Sequence, residues 1–337
     1  MPVMYANIPV FFCYLYYCIR SGSISFFKTA NPAVSMGGAF GVSKFDMLKD
    51  VPEAFMPKMF LMHEGESIDA LIHKISVDRM QYPVILKPDI GERGFMVQKI
   101  DSESQLCALV TSLPCDMIVQ EFIDLPCEYT LSFNSMPGNP DSFTITSICQ
   151  KSFLHVKGDG KHTARELMNR VPRYFLQIDR FEKQKATWLD QIIPLNESIY
   201  PEPIGNHNRG TIFLDARHLI TDTLIKNYKA LCLSLNGIYI GRFDLKASTE
   251  SDFINTRVKI MELNGVLGEP VHMYDPGYTW YRAYRDIFTQ WKTIFTISRI
   301  NKNIKTASPG LLDQIKIVYN YFIYKKDMKV RVNEKRL

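Results

Sequence analysis

The sequence predicts a mixed α and β body, α+β or α/β in class. Three observations predict it. The 337 residues are 46% apolar and 22% charged, the balance of an ordinary globular protein. That excludes pervasive disorder, collagen and a disulfide mini-scaffold. From Tyr82 onward, short apolar runs bounded by Pro and Gly read as strands. Between and around them the apolar spacing is helical. At about 100–200 residues per domain, the length suggests two or three domains or one multi-lobed unit. No internal repeat or low-complexity tract is present.

In chain order, the apolar run Ile8 to Ile19 is too short to span a bilayer, which needs about 20 residues. No Lys or Arg precedes Arg20, so the charged start of a signal peptide is missing. The run reads as a helix docked on the body, or one seeking a membrane surface. A Gly-rich loop follows over 31–41, and Ser43 opens a helix through Lys49. Strands are expected at Val84–Leu86, Phe95–Ile100 (returning from the turn Gly91–Gly94), Met117–Ile123, Glu128–Asn134 and Ser142–Phe153. A helix is expected over about Ser102–Ser112, and helical spacing over Thr163–Ile193 and Asp222–Leu235. Ile212–Leu214 is a short strand. Ile238–Leu245 and Val258–Leu263 read as neighbouring strands joined by a polar loop. Beyond Pro276 the chain is helical and basic.

The seven cysteines are odd in number and form no C-x-x-C pair, so a reduced, cytoplasmic thiol set is expected. The net charge of +5 is concentrated at the end: residues 316–337 hold seven basic and two acidic residues. Aromatic Tyr319, Tyr321, Phe322 and Tyr324 precede those charges. The tail is either a solvated helix or a contact for an anionic membrane face or an acidic partner. Nothing suggests a nucleic-acid partner.

Three clusters carry chemistry. In Gly241-Arg242-Phe243-Asp244, Arg242 and Asp244 share a face; in Met261-Glu262-Leu263-Asn264, so do Glu262 and Asn264. Paired antiparallel, the two acids would converge beside one arginine. They either salt-bridge Arg242 and nearby lysines or hold a hard cation such as Mg²⁺; spacing leaves both open. In the second cluster, Lys87 ends an apolar run before Gly91 and Gly94; it is either a snorkelling surface lysine or one that meets an anion, the glycines allowing close approach to a phosphate. The third, the strand through Gln120, Glu121, Phe122 and Ile123 with Glu128 after it, is either an ordinary strand with an exposed acid or, with backbone free at one edge, a place for an adenine to hydrogen-bond and for a carboxylate to take ribose hydroxyls.

In this order the clusters resemble the ATP-grasp superfamily of carboxylate–amine and carboxylate–thiol ligases, from about Ser43 to Pro276. Two more segments strengthen the resemblance. Val156–Thr163, with its Asp159-Gly160-Lys161 turn, is similar to cyanophycin synthetases and glutathione-synthesising fusion enzymes. Gly205–Thr211 is similar to the Asn-rich loop of those enzymes and of ribosomal-protein glutamate ligases.

The resemblance implies an α+β ATP-grasp fold, two α/β lobes clamping the nucleotide between helical extensions. The expected divisions are 1–42, 43–117, 118–278 and 279–337. It implies ATP and Mg²⁺ (two ions, with Mn²⁺ as a substitute). Lys44, Lys87, Gly91 and Gly94 would serve the phosphates, Gln120 to Ile123 the adenine and Glu128 the ribose. Asp244, Glu262 and Asn264 would be metal ligands. Arg242 would face the reacting phosphoryl group, Arg209 a substrate carboxylate, and Lys161 a phosphate. Small carboxylate and amine substrates follow; a small-molecule kinase and a nucleotide-binding scaffold are the alternatives, and a homodimer is allowed. The D-alanine–D-alanine ligases carry a Rossmann-like domain before the first lysine, whereas 43 residues precede Lys44 here. The missing wall of the substrate site is therefore expected from a partner subunit, the C-terminal helices or the N-terminal helix.

Overall fold

A computed structural model of the chain describes residues 7–92, 94–109, 113–305 and 310–335. The chain begins with helix α1 (Ile8–Ser21), then α2 (Lys44–Leu48), which Ser43 caps by accepting from the Asp46 amide. The first sheet follows: β1 (Met59–Met62), α3 (Ile68–Val77), β2 (Val84–Pro88), β3 (Gln98–Ile100), α4 (Glu103–Leu109) and β4 (Met117–Glu121). Its order is β1-β4-β2-β3, antiparallel throughout. Phe60, Met62, Val84, Leu86 and Val119 bury one core with Leu71 and Ile75 of α3 and Leu106 of α4.

The second sheet takes β5 (Cys127–Met136) and β6 (Asn139–Ser152) as a long hairpin. A small unit interrupts it: β7 (Val156–Lys157), α5 (Ala164–Asn169), α6 (Pro172–Phe175), α7 (Ile178–Lys183) and β8 (Ser198–Ile199). The sheet resumes with β9 (Ile212–Asp215), α8 (Asp222–Leu233), β10 (Ile240–Ala247), α9 (Glu250–Ile254) and β11 (Val258–Asn264), in the order β11-β10-β5-β6-β9. Alternation divides its faces. Tyr129, Leu131, Phe133, Phe243 and Leu245 pack into a core with Leu224, Tyr228 and Leu231 of α8. Their neighbours Glu128, Thr130, Ser132, Arg242 and Asp244 face the other way.

The chain closes with α10 (Trp280–Ile300) and α11 (Leu311–Lys335). A third core joins Tyr17 and Cys18 of α1 to Ile294, Phe295 and Ile297 of α10. No helix among the described residues is long and apolar enough to cross a membrane. All seven cysteines are free.

Several sequence expectations change. The stretch Thr163–Ile193 is three short helices and a 3₁₀ turn, because Pro172 can only begin a helix. The loop between β10 and β11 contains α9, whose Phe253 stacks on Tyr129 with ring centroids 4.1 Å apart. The returning strand starts at Gln98 rather than Phe95, since Gly94 and Met96 hold positive φ. Arg93 in that turn, residues 110–112 at the end of the expected helix, and Arg336 in the basic tail lie outside the described residues. The tail is not simply solvated: Met328 enters the first-lobe core, Tyr321 donates to Glu92, and Tyr324 donates to the Ile90 carbonyl at 3.3 Å.

Candidate active site

The site grows from the register of β10. Arg242 lies opposite Asn264 and Asp244 opposite Glu262, so the expected antiparallel pairing brings two acids, an amide and an arginine together. On the other side Arg242 faces Ser132, Asp244 faces Thr130, and Lys246 faces Glu128. Glu128 and Asp244, both on this face, repel unless a cation intervenes. Lys151 of β6 intervenes here. Its Nζ stands 2.6 Å from Glu128 Oε1 and 2.9 Å from Asp244 Oδ2, and it is 8% exposed. Arg242 Nε takes the other Asp244 oxygen at 3.1 Å. Burial alone would push the Asp244 carboxyl up, but Lys151 and Arg242 outweigh it and hold it below its ordinary value. Burial likewise works against a charged Lys151, and Asp244 and Glu128 more than reverse it.

Lys151 is the residue the sequence reading missed. In a linear sequence it is one polar position in an alternating strand. Only the β5–β6 register, which sets Glu128 opposite Lys151, gives it a meaning.

Glu262 and Asn264 are differently placed. Among the described residues the Glu262 carboxylate makes no hydrogen bond or ion pair, and Asn264 Nδ2 is buried without a partner. These two side chains, with an Asp244 oxygen released by its cations, make a hard oxygen donor set that fits Mg²⁺. Among the described residues no group of three or more His, Cys, Asp or Glu is placed to hold a metal ion by itself.

The first lobe meets this cluster through Lys87. The β10–β11 register slips between Asp244 and Leu245, leaving Met261 as a bulge. The Met261 carbonyl is thereby free to accept from Lys87 Nζ at 3.1 Å and from Gln120 Nε2 at 3.3 Å. Lys87 Nζ also donates to Gln120 Oε1 at 3.0 Å. Burial lowers the Lys87 pKa to about 8, against the opposing pull of Glu262.

The remaining expected residues fall into two groups. Lys44 reaches the hairpin: its Nζ donates to the carbonyls of Pro88, Asp89 and Gly91, the last at 2.7 Å. Gly94, at φ +70°, lets the hairpin turn beneath Asn206. Arg209 crosses from the second lobe to donate to the Gly94 and Val97 carbonyls at 3.0 and 2.9 Å, and it pairs with Glu202 at 3.4 Å. It therefore latches the Asn-rich loop to the turn around Gly94. Gly205 of that loop passes over Glu128 so closely that a Cβ would stand 2.6 Å from Oε1, so any side chain there would displace the Glu128 carboxylate.

Lys161 stands apart, exposed on the small unit's turn and without a contact to the cluster among the described residues. The free strand edge expected at Gln120 and Glu121 is absent as well. There β4 is paired with β1 and β2, because it is central in its sheet. Just past the strand, the Phe122 amide donates to Pro83 O at 3.4 Å and the Ile123 carbonyl accepts from Lys246 at 2.9 Å.

Beyond Arg242 along β10, a cavity of about 110 Å³ opens between the sheet and α10. Ser132, Asn134, Gly241 and Gly268 line one side and Asp286, Thr289, Gln290 and Thr293 the other. The Ser132 hydroxyl is buried there without a partner. At its back, His272 holds Ser147 Oγ at 2.7 Å and Asp286 Oδ2 at 2.9 Å, and burial lowers its pKa, keeping the ring neutral. His207 is stacked on Phe213 and Tyr274, with its pKa lowered to about 4, first by burial.

Residues 48–129 match the family model of the RimK-like ATP-grasp domain. No curated protein matches the sequence. Among solved structures, the chain is similar to a D-alanine–D-alanine ligase from Bacillus anthracis at 13% identity and a TM-score of 0.40, covering 77% of this chain and 68% of that one. It is similar to the VanG D-Ala:D-Ser ligase from Enterococcus faecalis at 12% identity and 0.42, covering 76% and 61%. It is also similar to a bifunctional glutathione synthetase from Pasteurella multocida at 12% and 0.37, covering 73% and 36%. Together with the two antiparallel sheets, the family match over residues 48–129 identifies the fold as ATP-grasp.

Proposed function

We propose that the protein is an ATP- and Mg²⁺-dependent ligase that joins a small carboxylate to an amine. The observation that carries this reading is the order of groups along one polar sheet face. Lys246, Glu128 and Lys151 share one row, then come Asp244 and Glu262, then Arg242 and Asn264, then the cavity. Each residue adds about 3.3 Å along a strand, so this run suits a nucleotide laid from adenine to γ-phosphate with its substrate beyond.

In the proposed reaction a carboxylate oxygen attacks the γ-phosphorus, the bond to the β-phosphate oxygen breaks, and ADP leaves. The acyl phosphate then takes an amine at its carbonyl carbon and expels phosphate. Such transfer depends mainly on positioning and charge neutralisation. Lys87 and Lys44 would bear on the phosphates, Glu128 on the ribose. Glu262, Asn264 and Asp244 would hold Mg²⁺, which supplies charge neutralisation at the phosphate oxygens. Arg242 would carry its planar fork to the transferring group or the oxyanion. Helix α10 would supply the substrate wall, and the hydroxyl and amide collar of the cavity favours a small, hydrogen-bonding substrate.

The test is ADP release against a panel of amino acids, hydroxy acids and peptides, with and without an amine. Substrate-dependent ADP release, with a hydroxamate when hydroxylamine replaces the amine, is the expected result. A stable phosphate ester and no hydroxamate would make the protein a kinase instead; no ADP release with any substrate would leave it a nucleotide-binding scaffold.

A pH dependence follows from Lys87. Its charged form meets the phosphates, so kcat/KM for ATP should fall as pH rises through about 8, and Lys87→Met should remove that limb. Stability should move the other way. Between about 8 and the ordinary 10.5 the unfolded chain holds a proton at this site that the native chain lacks. Unfolding free energy therefore gains from this group as pH climbs through that window. A kcat/KM that is flat to pH 10 would refute the assignment.

A further inference from the structure

The described surface is divided in character. Helix α1 packs Tyr17 and Cys18 inward but exposes Ile8, Phe11, Phe12, Leu15, Tyr16 and Ile19. These positions recur at three and four residues, one face of a helix. Phe12 is 62% exposed and Ile19 75%. No acid or lysine stands in α1 at all; its one charge, Arg20, lies 5.4 Å over the Phe295 ring of α10. On α10 itself the exposed side carries Trp280, Tyr281, Arg282, Arg285, Lys292 and Arg299, while its one acid, Asp286, turns inward to His272. An apolar, aromatic stripe thus adjoins a wholly cationic one.

Charge across the chain follows the same division. Residues 1–30 and 280–337 hold fifteen basic and four acidic residues, whereas 31–279 hold 25 basic and 31 acidic. Nine of those fifteen lie beyond residue 300, and helices α1 and α10 themselves hold five basic residues and one acid, positive against a negative body. The +5 of the whole chain conceals this.

We propose that the α1–α10 face docks on an anionic lipid surface. Rings and aliphatic side chains of this kind settle in the headgroup region, and flanking arginines and lysines are drawn to anionic lipid. A second copy is a poor occupant, since a two-fold contact would set like charge on like charge. Neither helix can cross the bilayer, so the attachment is in the plane of the surface. The same α10 walls the cavity with Thr289, Gln290 and Thr293.

The experiment is flotation of the full chain with vesicles of phosphatidylcholine alone, or with about 30% phosphatidylglycerol added. Recovery on the anionic vesicles should be at least about tenfold higher, and should fall several-fold between about 0.1 M and about 0.5 M NaCl. A Phe11→Ser, Phe12→Ser, Ile19→Ser variant and an Arg282→Gln, Lys292→Gln variant should each lose about tenfold of that binding with an unchanged melting temperature. These side chains are exposed, and the salt dependence of the unmodified chain stands independently of any variant. Equal recovery on both vesicles, or full binding by the variants, would overturn the proposal. So would light scattering that shows a dimer which the Phe11, Phe12 and Ile19 substitutions split.

Discussion

Glu262→Gln is expected to reduce substrate-dependent ADP release by about 10³-fold while leaving the fold intact. Glu262 is the acid of the pair that no cation of the described protein occupies, whereas Asp244 is already held by Lys151 and Arg242. Its charge is therefore the one available to a metal and a phosphate. Gln keeps the shape and removes that charge, so stability should change little. The rise in melting temperature on adding Mg-ATP should shrink with the activity. Full turnover by the variant would remove Glu262 from the metal set. A large loss of stability would instead make its charge structural.

Lys151→Met is expected to act the other way round, costing stability first. It removes the cation between two buried carboxylates and leaves Glu128 and Asp244 facing each other. Breaking a buried ion pair on one side costs about 3–5 kcal/mol, because the remaining charges stay desolvated and lose a partner, and here only Arg242 at Asp244 and Lys246, 4.0 Å from Glu128, remain to offset it. Denaturant unfolding should therefore shift by about that amount. Adding Glu128→Gln should return more than about 1 kcal/mol of it, the signature of direct coupling. A loss below about 1 kcal/mol for Lys151→Met would mean that water reaches this cluster and screens it.

These two residues differ in how far the sequence disclosed them. Glu262, with Asn264 two positions on and Arg242 and Asp244 in a neighbouring run, was legible because a strand's period of two puts such residues on one face. Lys87 was legible only as part of the ordered set, since a lysine ending an apolar run can as well snorkel to the surface. The capped helix at Ser43 and the Thr163 turn were equally readable, because capping is a contact over three residues. Lys151, Ser132, and the Ser147–His272–Asp286 chain were not. Their partners lie 14 to 125 residues away, and the pairing exists only once the chain has folded.

The same distinction separates the expected roles that moved. Arg209 was read as a substrate ligand, yet its guanidinium is spent on two backbone carbonyls of the opposite lobe. Lys161 carries the right charge on the right turn, but the turn belongs to a unit packed on its own small core. The β4 edge looked free because nothing local says which strand is central.

What the sequence determined alone was local: which segments pair or coil, which side chains share a face, and that acids, lysines and an arginine occur in an ordered set. The tertiary structure decided which charges neutralise one another and which remain available. It also decided that α10 both walls the cavity and carries a cationic face beside α1's apolar stripe. The physical reason is range. Hydrogen bonds and ion pairs act over a few ångströms, so a group's chemistry depends on neighbours that only folding brings that close.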